Sequence, residues 1–165
     1  PIQIQLFSRC KVWYLEVSVT RWKNNEMELD EALEWATEKN HGILITIRRD
    51  GRPQSSDISF TLKDGKFCIS ATTSRAKTRN LLRDDRAVLH VTSPGSWSYI
   101  SFDGTVEVTS PAQTHNDEVN KELADIYQRI VGKEHPDWNE YQQAMINDGR
   151  LVLRFVPQRA VGMVN

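Results

Sequence analysis

Cysteine is nearly missing from this 165-residue chain: Cys10 and Cys68 stand alone. Their spacing fits neither a zinc site nor a disulfide framework, and it predicts a reducing, cytoplasmic setting. No apolar run approaches the ~18 residues of a membrane span, so no membrane partner is expected. An excess of one charge is lacking too. The 21 Lys and Arg meet 22 Asp and Glu, for a net charge of -1. The chain as a whole is therefore not built to hold a polyanion, and nucleic acid is not an expected partner. Gly-x-Ser-x-Gly elbows, P-loops, Gly-x-Gly-x-x-Gly and His-Glu-x-x-His are all absent, and no metal site is expected. The four histidines stand apart. His90, in an apolar run, reads as a hydrogen-bonded core residue, and His41 beside Gly42 as helix C-terminal chemistry. No cysteine lies near a candidate base in sequence, so a thiol nucleophile has no support.

What is there suits one domain with a real core. Hydrophobic residues make up 39% and charged residues 26%, and a chain of this length buries roughly two-thirds of its unfolded surface. Residues 1–26 have no signal-peptide pattern. They read equally as an upstream extension or as an added strand, and the domain proper is expected over 27–165.

Local patterns alternate between strand and helix. "ELDEALEWATEKNHG" has Leu29, Leu33 and Ala36 on one helical face, with Gly42 as a stop. Three strands follow, about 43–49, 54–62 and 66–72. They are separated by Asp50-Gly51 and Asp64-Gly65, and Asp-Gly between such runs is a strong hairpin signal. Pro53 marks a strand start or an edge. The stretch 74–91, "SRAKTRNLLRDDRAVLHV", reads as a short helix and then a strand. "WSYISFDGTVEVTS" is a further strand, two helices follow with Gly132 and Gly149 as stops, and "RLVLRFVP" with "RAVGMV" gives one or two last strands. Six or seven short antiparallel strands with inserted helices suggest a mainly β protein, either a small closed barrel or a flat α+β sandwich.

Two features invite a ligand. Arg75 and Lys77 lie where the short helix begins, an end that disfavours cations. A solvated face is one account. The other is an anion held by free amides and cations together, with Ser74 as cap or extra hydroxyl and with Leu81 and Leu82 anchoring the helix. In "PQSSDISF", Gln54, Ser56 and Ile58 share one strand face, while Ser55 and Asp57 share the other. Polar residues on both faces place one polar face inward or into a cleft. Trp97 and Tyr99 alternate in a strand. They read either as core or as a wall for a flat heterocycle, and the basic helix with these rings would also suit a single-stranded nucleic acid.

"GILITIRRDGRPQSSDISF", "SRAKTRNLLRDDRA", "WSY" and "HPDWNEYQQAM" together resemble the pyridoxamine 5'-phosphate oxidase-like split β-barrel family. Within it, the sequence is similar to the branch that uses coenzyme F420, a deazaflavin, in place of FMN. The resemblance runs from about Leu29 to Met163. It implies an antiparallel, FMN-binding-like split barrel of six to seven strands, a homodimer with cofactor sites at the dimer interface. It also implies hydride transfer from the reduced cofactor to a conjugated small-molecule acceptor. The alternatives are an FMN-dependent oxidoreductase and a non-catalytic F420-binding protein. By the same resemblance Arg75, Ala76, Lys77 and Thr78, helped by Ser70 and Thr72, hold the phosphate or acidic tail. Ser55, Ser56 and Asp57 run beside the ring, and Trp97 and Tyr99 approach it from the second subunit. The closing "PQRAVGMVN" departs from the substrate-reading arginine motif of the vitamin B6 oxidases, so that reaction is not expected.

Overall fold

A computed structural model describes residues 26–164. The order is β1 (Glu26–Met27), α1 (Leu29–Ala36), β2 (His41–Ile47), β3 (Pro53–Ser59), β4 (Thr61–Lys63), β5 (Lys66–Thr72) and α2 (Ala76–Leu81). It continues with β6 (Arg86–Thr92), β7 (Tyr99–Val108), α3 (Glu118–Val131), α4 (Trp138–Asn147) and β8 (Arg150–Met163). The expected extension 1–26 lies outside the described residues except for Glu26, which opens β1 and pairs with Val161 of β8. No helix among the described residues is long and apolar enough to cross a membrane.

Most turns follow local chemistry. Gly51 (φ 80°) closes the β2–β3 hairpin, and Asp64 (φ 50°) with Gly65 (φ 73°) closes β4–β5, the two positive angles that a tight hairpin asks for. α3 has an Asp117 cap that accepts from Asn120 N–H and a left-handed Gly132 at its end. α1 stops earlier than expected, at Ala36. Gly42 and His41 belong to β2 instead of closing that helix. Gly42 is needed there because a Cβ would approach His90 O to 2.9 Å.

The sheet runs β3-β2-β6-β7-β8-β5-β4, all antiparallel, with β1 beside β8. The expected three-strand meander is corrected by this order. The run 54–62 breaks at Phe60. β3 pairs with β2 alone and β4 with β5 alone. Phe60 is fully buried, its N–H donates to Asn40 O, and its ring meets Phe67 edge-on at 5.1 Å. The bend at Phe60 carries the chain from one end of the sheet to the other. Of the one or two last strands expected, the structure has one, β8, of 14 residues. Opposite Asp103 and Gly104 its register slips by one residue, a bulge at Gln158 beside Pro157 that lets one long strand bend around a barrel.

Phe60, Phe67, Phe102 and Phe155 fill the barrel with Leu44, Leu89, Ile100 and Leu153. A second apolar layer, Cys68, Leu123, Ile126, Tyr141, Met145 and Val152, holds α3 and α4 against β5 and β8. Cys68 is a buried filler of that layer, and burial pushes its thiol up to about 11. The architecture is thus mainly β, with helices inserted between strands, curled into an incompletely closed barrel.

Candidate active site at the split of the barrel

β3 and β5 approach each other without a hydrogen-bonded ladder. A cleft of ≈ 500 Å³ opens between them, within the range of small-molecule sites. β3 supplies Gln54, Ser56 and Asp57. β5 supplies Ser70, Ala71 and Thr72. The start of α2 supplies Arg75, Ala76 and Lys77, and Arg150 comes from the first residue of β8.

Strand period explains the β3 set. Gln54 and Ser56 point the same way as buried Ile58, while Ser55 is exposed on the opposite face across from Ile45. Asp57 is also exposed, at the rim, 3.9 Å from the His41 imidazole. α2 is pinned on both sides of the split. Thr78 Oγ1 donates to Thr72 O at 2.8 Å, tying it to β5. Asn80 Nδ2 donates to Thr46 Oγ1 and Gln54 Oε1, both at 3.0 Å, tying it to β2 and β3. Thr78 is therefore a buried tie beneath the cleft, not part of its wall.

The helix is short as expected, with six residues, but its N-cap is Arg75 and no side chain caps it. Ser74 Oγ lies 3.1 Å from Thr72 Oγ1 instead. So short a helix has little dipole to offer, and the cations themselves carry the electrostatics. Leu81 is buried as expected, but Leu82 is 68% exposed. Asp84 does not sit idle at the far end: it accepts two bonds from the Arg86 guanidinium, which holds its carboxyl down to about 2.

Among the described residues, neither Arg75 nor Lys77 forms an ion pair. Burial, and then the charges of Arg75 and Arg150, hold the Lys77 ammonium below the usual lysine range. Three cations thus face one cleft in which Asp57 is the single acid. The three cations repel one another, Arg150 less so because the Asp148 carboxylate lies 3.5 Å from its Nε.

The structure brings Ser56, Asp57, Ser70, Thr72, Arg75, Ala76 and Lys77 together in the cleft. It places Ser55, Thr78, Trp97 and Tyr99 outside it. Trp97 is 85% exposed in the loop before β7. Tyr99 is half-buried, its ring 5.5 Å from that of His90. His90 itself shares a 2.7 Å hydrogen bond between Nδ1 and Ser101 Oγ. Arg150 escaped the sequence reading. An arginine before an apolar strand is ordinary, and only the pairing of Arg150 with Thr72 brings it to the cleft.

The split barrel with a polar cleft between β3 and β5 defines the class, and similarity in sequence gives the family. Residues 28–163 match the family described as pyridoxamine 5'-phosphate oxidase, and the chain belongs to it. Solved structures share the fold. One is a conserved hypothetical protein from Mycobacterium tuberculosis, with 21% identity and a TM-score of 0.65, covering 82% of this chain and 84% of that one. Another is named F420 reductase, with 22% identity and a TM-score of 0.59, covering 77% and 94%. A third is a heme binding protein from Mycobacterium smegmatis, with 19% identity and a TM-score of 0.62. There the match covers 82% of this chain and 53% of the other.

Proposed function

We propose that this chain is an oxidoreductase that binds coenzyme F420 at the barrel split and transfers hydride to a conjugated small-molecule acceptor. The observation that carries the reading is the pair Arg75 and Lys77, unpaired at the cleft, with Lys77 depressed by burial and like charge. An acidic phosphate and carboxylate tail fits that need. Arg75 and Lys77 would hold the phosphate through charge-assisted hydrogen bonds, and the Ser70 and Thr72 hydroxyls would add donors. Ser56 and the Gln54 amide, itself anchored by Asn80, would lie along the ring. When bound, the cofactor supplies the hydride, and the chain supplies binding, orientation and electrostatics. This division of labour requires no acid–base dyad of the chain. FMN is the second reading, because two unpaired cations would also satisfy a single phosphate.

Two copies of the chain complete this reading. Trp97 is presented to solvent away from its own cleft. The outer face of β2 and β6 carries half-exposed Ile43, Ile45, Ile47 and Val88. An apolar sheet face of this kind suits a self-complementary contact, and a partner copy would bring the missing ring wall.

Fluorescence titration of the purified protein with F420 and with FMN tests the proposal. F420 should bind, and Lys77→Ala should weaken it about 10- to 100-fold, the loss of roughly 1.5–3 kcal/mol for one charged hydrogen bond. Copurifying FMN with no F420 affinity would overturn it in favour of the second reading. Oxidation of reduced F420 by an enone then separates an enzyme from a binding protein.

A further inference from the structure

A second cavity, ≈ 230 Å³, shares Ser70 and Arg150 with the cleft. Its walls come from helix periodicity. Leu123, Ile126, Tyr127 and Ile130 form one stripe of α3, and Tyr141 and Met145 face them from α4. Leu123, Ile126, Tyr141 and Met145 are buried, while Tyr127 and Ile130 are half-buried nearer its mouth. The one phenol in the floor is already satisfied, since Tyr141 Oη donates to Leu123 O at 2.8 Å. What remains is a largely apolar slot, with Tyr127 and Ser70 among its lining residues and one charge at its border. Arg150 Nε there is shielded from solvent and makes no hydrogen bond. The Asp148 carboxylate is 3.5 Å away, at ion-pair distance only, and the Nη1 contact with Ser70 Oγ is long, 3.4 Å. The Arg150 side chain is 34% exposed, but a shielded N–H with an unmade bond is still costly, and a planar carboxylate matches the guanidinium fork.

We propose that this cavity binds an apolar carboxylic acid, its body between α3 and α4 and its carboxylate on Arg150 beside Ser70. The size agrees: a dry cavity of roughly 150 Å³ admits benzene, so this one has room for a ring and a short methylene chain. The proposal stands on the cavity and on Arg150, whichever cofactor the cleft takes.

Calorimetric titration of the cofactor-free full chain with 4-phenylbutyrate, against neutral 4-phenyl-1-butanol, tests it. The acid should bind saturably and about tenfold tighter than the alcohol. Arg150→Gln should erase that preference and leave the alcohol's affinity within about twofold. Ile130→Ser, at the mouth, should weaken both ligands. Absence of saturable acid binding, or equal affinity for acid and alcohol, would overturn the proposal. So would an acid that is displaced by inorganic phosphate and indifferent to Ile130→Ser, because it would then occupy the Arg75–Lys77 cleft. Ile130 methyl resonances that move on protein dilution but not on adding acid would show a second copy covering the slot, and would equally overturn it. No cofactor is present, so this outcome and that of the F420 titration are read separately.

Discussion

At the scale of single residues, Lys77 is the most informative group. Its ammonium is crowded by Arg75 and Arg150 and partly desolvated, so removing it costs the empty protein little. Lys77→Ala should melt no lower than the parent without added anion. Inorganic phosphate should raise the parent's melting temperature and leave the variant's nearly unchanged. A parent insensitive to phosphate would show that the cleft is not an anion site. Two opposite pH effects follow from the same shift. The unfolded chain carries an ordinary lysine, so between the depressed and the ordinary pKa it binds more protons than the folded chain. Stability contributed by Lys77 therefore rises with pH through that alkaline window. Anion affinity falls through the same window, as the ammonium discharges. Phosphate titrations from neutral to alkaline pH should show the fall in the parent and not in Lys77→Ala. Arg75 and Lys77 were legible in the sequence because their oddity is local, cations opening a helical stretch. Arg150 was not, because its meaning comes from a strand partner 78 positions earlier, Thr72.

At the scale of elements, the hairpins were legible and the pairing was not. Asp50-Gly51 and Asp64-Gly65 report turn chemistry, which four residues determine. The alternation of 54–62 continues through Phe60 without a fault, since Ile58 and Phe60 both point inward. The parity of the strand is kept while its hydrogen-bonding partner changes, and no local pattern records that exchange. β8 hides its bulge in the same way, because Pro157 reads as a break when it is a bend in one strand. The bend leaves Gly104 against β8, where a Cβ would come within 2.2 Å of Val156 O and 3.0 Å of the Phe155 ring. Gly104→Ala must move backbone, so it should destabilise the fold by about 1–3 kcal/mol, read as a lowered urea midpoint with an unchanged slope. A neutral result would mean that the β7–β8 bulge relaxes freely.

At the scale of the whole molecule, the mainly β barrel and its family were legible, since several motifs spread over most of the chain agree. The cavity between β5, β8, α3 and α4 was not, because its walls come together only after folding. The proposed second copy can be tested at the outer face of β2 and β6. Ile45 lies opposite Val88 on the outer face, and charges placed there would be desolvated by a partner. Ile45→Lys with Val88→Glu should sediment as a monomer where the parent sediments as a dimer, and should lose F420 affinity while keeping its circular dichroism. A parent that is itself monomeric at working concentrations would remove the second copy from the site.

The position of β8 has a consequence for biosynthesis. The last strand of the barrel to be made lies between β7 and β5, in the interior of the sheet order. Until residues 150–163 emerge from the ribosome, β7 and β5 each present an unpaired edge, and the cleft lacks its third cation. From the completion of β7 until β8 is made, the nascent chain therefore carries both open strand edges, a state that invites association with other chains. Assembly of the barrel and of its site should be a single late event, and a premature stop before Arg150 should yield an aggregating product with no partial activity.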